Sequence, residues 1–296
     1  MVIFVNAKIN IGLQITRRRE DGYHELSTLF YPVGLYAGGV ENPESFCDIL
    51  EVTPRDEQGV RLSFTGRDCG CAPEHNLVWK AAQKYFHDHA RTLKGADIIL
   101  EKHLPSGAGL GGGSADASFT LLALNETERL LSGCSGLPNQ ATLAAMAKEL
   151  GADCPFFIYN RPLYAEGIGE KFEEVQLDLT GFWCLIAKPR IFISTKEAFS
   201  GVSPKPGDFD LRKISVLPIE EWQGVIRNDF EESVFPKYPE LHKIKEMIRG
   251  AGALYCSMSG SGSAIYGIFQ SEEIAHKAKV RLQKEATIEG VYLLKM

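Results

Sequence analysis

The segment LPSGAGLGGGSADAS at residues 104–118 constrains this chain more than any other stretch. Gly107, Gly109, Gly111, Gly112 and Gly113 lack a Cβ, so their backbone can reach positive φ and approach a ligand closely. The residues that follow, from Ala115 through Phe119 to Leu124, suit a helix with an apolar side. Glycines running into a helix N-terminus present free N–H groups and the positive end of the helix dipole to anionic oxygens. The segment reads as a phosphate cradle opening a helix. A flexible glycine linker is the alternative.

Three familiar phosphate loops fit poorly. No lysine follows these glycines before Ser114, so the G-x-x-x-x-G-K-[ST] pattern is absent. Gly107, Gly109 and Gly112 satisfy G-x-G-x-x-G after a strand-like stretch at 95–105. A dinucleotide site also needs an acidic residue roughly 20 positions on, at the end of a second strand. That region here is the loop LLSGCSGLPNQ, and the H-R-D and D-F-G elements of a protein kinase are missing as well.

With 296 residues, 44% of them hydrophobic and 24% charged, the chain has the make-up of a globular protein large enough for one or two cored domains. A net charge of −6 argues against broad binding to nucleic acid or a membrane surface. Arg17, Arg18 and Arg19 form the one tight basic run, too short for a nucleic-acid footprint. The seven cysteines show no C-x-x-C spacing, and Cys69, Cys71 and His75 lack a fourth zinc ligand. They read as free thiols of a cytoplasmic protein. Neither a signal peptide nor a membrane span is expected.

Strand and helix patterns alternate. Residues 2–16 read as a strand pair or one long bent strand, turned at Asp21–Gly22 into a strand over 24–33. Further strands are predicted over 47–54 and 61–66. Asn76 and Asn139 are positioned to cap helices, the second stopped by Gly151. Later come a buried strand over 182–189, a capping box from Ser194 to Glu197, a Pro- and Gly-rich loop over 201–218, a helix over 240–250, an amphipathic helix over 271–285 and a closing strand. The pattern is α+β, in two lobes with a cleft between them. A second glycine cluster, SMSGSGSAIYG at 257–267, reads either as a hairpin loop or as a loop whose small residues let its backbone reach a ligand.

The segments NAKINIGLQITRRREDGYHELSTLFYPVGL (6–35), the glycine loop, GADCPFF (151–157), AEGIGE (165–170) and MSGSGSA (258–264) occur in this order and at these separations. Together they closely resemble the GHMP kinase superfamily, and the resemblance runs from Val5 to about Phe269. The glycine loop and MSGSGSA specify the superfamily only. AKIN and DGYHEL, with GADCPFF and AEGIGE, are much more specific and resemble the branch that acts on a CDP-linked methylerythritol.

The resemblance implies a two-domain GHMP kinase architecture of the α+β class, with the active site in the inter-domain cleft. The domains would be 1–160, N-terminal and ATP-binding, and 161–296, C-terminal. It implies ATP-dependent phosphorylation of the 2-hydroxyl of a CDP-linked polyol in isoprenoid precursor synthesis, with Mg²⁺ accompanying ATP. A mevalonate- or homoserine-type GHMP kinase, or a non-catalytic ATP-binding relative, is the alternative. Pro105, Ser106, Gly107, Ala108, Gly109, Leu110, Gly111, Gly112, Gly113 and Ser114 would bind ATP. Ala108 replaces the glycine found in many relatives, a change small enough to tolerate.

Lys8 and Asp153 are the implied catalytic pair. Phosphoryl transfer asks mainly for alignment and charge neutralisation. Lys8 would supply charge near the acceptor hydroxyl, and Asp153 would accept or orient its proton. Taken alone, Lys8 reads as a snorkelling surface lysine and Asp153 as a cap ahead of Pro155. Asn10 shares a strand face with Lys8 and would contact the polyol. Tyr23 and Phe199 are candidates to sandwich the cytosine, with His24 reading its edge. Thr195, Gly260 and Gly262 complete the expected substrate contacts, and NDFE at 228–231 resembles a segment of the family, with a helix cap as the other reading.

Overall fold

Residue 2 begins a strand that does not end until residue 18: the N-terminal pattern resolves as one long strand, not a pair. The computed structural model describes residues 1–34, 46–133 and 136–296, so Leu35, the last residue of the N-terminal motif, and Cys134 lie outside the described residues. In chain order the first elements are β1 (Val2–Arg18), β2 (His24–Val33), β3 (Cys47–Arg55), β4 (Gly59–Gly66), α1 (Leu77–Asp88), β5 (Gly95–Lys102) and α2 (Gly112–Ser132). There follow α3 (Gln140–Leu150), α4 (Cys154–Tyr159), β6 (Leu163–Gly167), β7 (Lys171–Glu174), β8 (Trp183–Pro189) and α5 (Thr195–Ser200). The last are α6 (Trp222–Val225), α7 (Phe230–Val234), α8 (Pro239–Gly250), β9 (Tyr255–Met258), β10 (Ile265–Phe269), α9 (Glu272–Leu282) and β11 (Ile288–Lys295).

Local chemistry explains many of these boundaries. Asn76 Oδ1 accepts from Val78 N, Asn139 Oδ1 from Thr142 N and Ser194 Oγ from Glu197 N, so each starts its helix as capping predicts. At Ser194 only half of the box closes, because the Glu197 carboxylate accepts from the Tyr238 hydroxyl. Gly22 turns β1 into β2 at φ +87, and Asp21 Oδ1 accepts from Tyr23 N. β5 stops at Lys102, short of the predicted residue 105, because His103 N and Leu104 N turn away to donate to Asp48 Oδ1.

The chain divides into two units, interleaved in sequence: residues 1–7, 46–106 and 111–161, and residues 8–45, 107–110 and 162–296. In the first, strands run in the order β4-β5-β3-β1, with β4 parallel to β5 and the other pairs antiparallel. α2 packs on β3 and against α1, α3 and α4, burying Ala115, Ala117, Leu121 and Leu124. In the second, β1 continues into the order β1-β2-β6-β7, and a separate antiparallel sheet runs β11-β8-β10-β9. α8 and α9 pack on that sheet over a core that includes Leu185, Ile244, Ile248, Ile265, Phe269 and Leu282.

Candidate active site

β1 carries Lys8 and Asn10 two residues apart, on one face of the strand. Lys8 is only 3% exposed, which removes the snorkelling surface reading. Its Nζ donates to Asn10 Oδ1 at 2.6 Å and to the Gly109 carbonyl at 3.0 Å, and lies 5.0 Å from the centre of the Phe30 ring. Asn10 Nδ2 donates to Thr28 Oγ1, and the Thr28 hydroxyl donates to the Gly12 carbonyl. A buried ammonium is costly unless acceptors or ring faces surround it. Here those partners also fix its direction.

Residues 107–110 are gripped through their backbone. Lys8 N donates to Leu110 O at 3.0 Å, Ala264 N to Ala108 O at 3.1 Å and Ser259 Oγ to Gly109 O at 2.8 Å. Ser259 Oγ also accepts from Asn10 N at 3.3 Å. The second glycine cluster is therefore more than a hairpin loop: it is bonded to the first. The approach is close enough to dictate the residue type. A Cβ on Gly109, at φ +77, would lie 1.9 Å from the Ser259 carbonyl oxygen. Gly260 takes φ +54 and Gly262 φ +87.

Gly107, Gly109 and Gly111 adopt positive φ. Gly112 and Gly113 instead are the first residues of α2, so for them the expected left-handed backbone is not found. Gly111 occupies the N-cap of α2 without a side chain to bond the first-turn amides. Inside the helix those amides have no acceptor four residues back.

Beneath that turn lies a buried cluster that the sequence did not announce. Lys102 Nζ donates to Asp116 Oδ2 at 2.7 Å and to Asp48 Oδ2. The ammonium sits 3.2 Å from where a Cβ on Gly112 would be. Asp48 is occupied with the two backbone amides that end β5, while Asp116 Oδ1 is buried without a hydrogen-bond partner. Burial, reinforced by Asp48 and opposed by Lys102, pushes the Asp116 carboxyl up to about 8. Two carboxylates share one ammonium.

Asp153 occupies the N-cap position of α4 but makes no side-chain capping bond, so the cap reading does not account for it. The Ser118 hydroxyl donates to Cys154 O at 2.7 Å, tying the start of α4 to α2. Burial pushes the Cys154 thiol up to about 11, which makes it an inert neighbour.

On the side expected to take cytosine, Phe199 stacks on His24, with ring centres 4.7 Å apart. The expected partner Tyr23 is instead 60% exposed. Burial, with help from Arg18, lowers the pKa of His24 and favours its neutral ring. Thr195 is exposed at the first turn of α5, and Ser194 alone supplies the cap. Among the described residues no group of three His, Cys, Asp or Glu side chains could hold a metal ion, and no helix is long and apolar enough to cross a membrane.

Residues 76–161 match the family GHMP kinases N terminal domain, and residues 217–287 match GHMP kinases C terminal. The chain is 45% identical over 275 residues to the 4-diphosphocytidyl-2-C-methyl-D-erythritol kinase of Bacteroides fragilis, covering 92% of this chain and 93% of that one. It superposes on the crystal structure of a 4-(cytidine 5'-diphospho)-2C-methyl-D-erythritol kinase with a TM-score of 0.80 and 32% identity, all of both chains being covered. A homoserine kinase from Cytophaga hutchinsonii gives a TM-score of 0.71 at 21% identity, covering 100% of this chain and 95% of that one, a likeness of fold alone.

Proposed function

The chain belongs to the GHMP kinases, among the 4-diphosphocytidyl-2-C-methyl-D-erythritol kinases, and from that premise we propose that it moves the γ-phosphate of ATP onto the 2-hydroxyl of 4-diphosphocytidyl-2-C-methyl-D-erythritol. The reaction belongs to the non-mevalonate route to isoprenoid precursors, and the proposal places it in the cytoplasm. The family division at residues 160 and 161 is part of the same reading. One observation supports it best: Lys8 and Ser259 converge on the Gly109 carbonyl, in the middle of the glycine loop.

In this proposal the backbone of 105–114 cradles the phosphates, since first-turn amides and the α2 dipole favour anionic oxygens. Lys8 neutralises charge as the phosphoryl group transfers, and Asp153 accepts or orients the proton of the 2-hydroxyl. Asn10, Gly260 and Gly262 shape the polyol side, with Thr195 at its margin. His24 and Phe199, with Tyr23 outside them, hold the cytosine. Mg²⁺ would supply neutralisation of the phosphate charge, and such an ion is commonly held by one or two protein groups plus the phosphates themselves. The Ser114 hydroxyl, at the start of α2, is the candidate to contact Mg²⁺ or a phosphate.

Incubation with ATP, Mg²⁺ and a panel of acceptors tests the reading through ADP release. Turnover with the CDP-linked polyol, and none with mevalonate or homoserine, is expected. Turnover with homoserine or mevalonate alone would overturn it.

A further inference from the structure

We infer that Asn228 is a positioning residue for phosphoryl transfer, acting through Ser259 on the Gly109 carbonyl to which Lys8 is tied; the inference rests on the kinase reading above. Asn228 is 1% exposed and heads the NDFE segment. Its Oδ1 accepts from Phe230 N at 3.0 Å, the helix-cap role that the sequence suggests. The nitrogen end of the same amide does something else. Nδ2 donates to Met258 O and to Gly260 O, each at 2.8 Å. Two carbonyls on one side and an N–H on the other leave the amide only one orientation.

Those two carbonyls flank Ser259. Met258 forms the last pair of β9 with β10, opposite Ile265, and beyond it the chain leaves the sheet with Gly260 at φ +54. Asn228 thus fixes the residues on either side of a serine whose hydroxyl donates to Gly109 O and accepts from Asn10 N. Lys8 Nζ donates to that same carbonyl. Ser259 is fully buried, so its hydroxyl has little freedom once its neighbours are fixed.

The rest of the segment points the same way. Leu13 N donates to Arg227 O and Asp229 N to Leu13 O, while Asp229 Oδ2 accepts from Ile15 N at 2.7 Å. Glu231 Oε1 accepts from Met258 N at 2.8 Å and from the Ser257 hydroxyl. Residues 227–231 are therefore stitched to β1 on one side and to β9 and its loop on the other. They set the spacing between the strand that carries Lys8 and the loop that carries Ser259. An aspartate at 228 would keep the cap and lose both donors, facing two carbonyl oxygens with a charge.

The test uses the full chain with Asn228→Asp and Ser259→Ala, separately and together. The readouts are kcat and KM for each substrate, affinity for a fluorescent ATP analogue, thermal midpoint, and hydrogen exchange of the 107–110 amides. In N228D, kcat per folded molecule should fall roughly ten- to a hundredfold, as loss of buried hydrogen bonds implies, with KM for the acceptor nearly unchanged. Exchange at 107–110 should quicken. S259A should shift the same quantities in the same direction, and the double variant should lose little more than the worse single one. Losses that add, or a lower melting point with unchanged kcat per folded molecule and unchanged exchange, would overturn the inference. If N228D does not fold, S259A decides alone: wild-type kcat and exchange there would end it. Wild-type protein inactive on the CDP-linked polyol defeats the kinase reading instead, and nucleotide affinity and exchange still judge Asn228.

Discussion

His24 and Phe199 lie face to face, their ring centres 4.7 Å apart and their planes 17° from parallel, and Phe230 meets Phe199 in a T-shaped pair with centres 4.8 Å apart. Two rings already stacked leave no slot for a third. In the proposed reading, a cytosine held here must part the two rings or take the outer face of one of them. Stacking is worth about 1–3 kcal/mol per base. Phe199→Ala and His24→Ala are expected to raise KM for the CDP-linked substrate roughly 5- to 150-fold, with KM for ATP nearly constant. Steady-state kinetics with each substrate varied would check this. A rise confined to ATP would mean that the two subsites are reversed.

Gly109 gives the most local test of the nucleotide loop. A methyl there meets the Ser259 carbonyl at 1.9 Å and must also adopt φ +77. Gly109→Ala should lower affinity for ATP at least about tenfold, since left-handed backbone alone costs an L-residue roughly 1–2 kcal/mol. Gly112→Val, crowding Lys102 Nζ and Leu104, should likewise cripple nucleotide binding in a protein that still folds. Fluorescent-nucleotide titration measures both. Wild-type affinity in folded Gly112→Val would count against the cradle.

The chemical step is tested by Asp153→Asn and Lys8→Met. Loss of a general base costs roughly 10²–10⁴ in rate, and loss of a preorganised charge about 10²–10³. Each variant should show that drop in single-turnover rate at saturating ATP. A rate near wild type for either variant would remove it from the catalytic pair.

Asp116 predicts how stability varies with pH. Its carboxyl titrates at about 8 in the fold, against an ordinary value of 3.8. A proton held more tightly when folded stabilises the fold fully below the unfolded value, and that contribution is lost as pH rises through the folded one. Stability from this group should therefore decline between pH 3.8 and about 8. Asp116→Asn cannot titrate but can still accept from Lys102, so its denaturant midpoint should fall less steeply over that window. An unchanged slope would place the proton elsewhere in the cluster.

What the sequence made legible was what neighbouring residues decide. The caps at Asn76, Asn139 and Ser194, the Asp21–Gly22 turn and the shared face of Lys8 and Asn10 all depend on residues a few positions apart. Distant partners were hidden. The end of β5 depends on Asp48, 55 positions before the His103 amide it accepts from. The burial of Lys8 depends on Gly109, 101 positions away. Asn228 stood in a family-like segment with a capping role, but nothing near it in sequence shows where Nδ2 donates. The motif resemblance named candidate residues without placing them, and Tyr23 shows the difference: it adjoins His24 in sequence yet is 60% exposed, while His24 stacks on Phe199.

Ser259 and the Gly109 carbonyl it bonds are 150 residues apart. A ribosome adding 5–20 residues per second delivers the second roughly 8–30 s before the first. Throughout that interval residues 107–110 exist without Ser259 and Ala264, and Leu13 and Ile15 lack Arg227 and Asp229 for most of it. A nascent chain therefore waits for almost its whole length before residues 107–110 can be tied to Ser259 and Ala264.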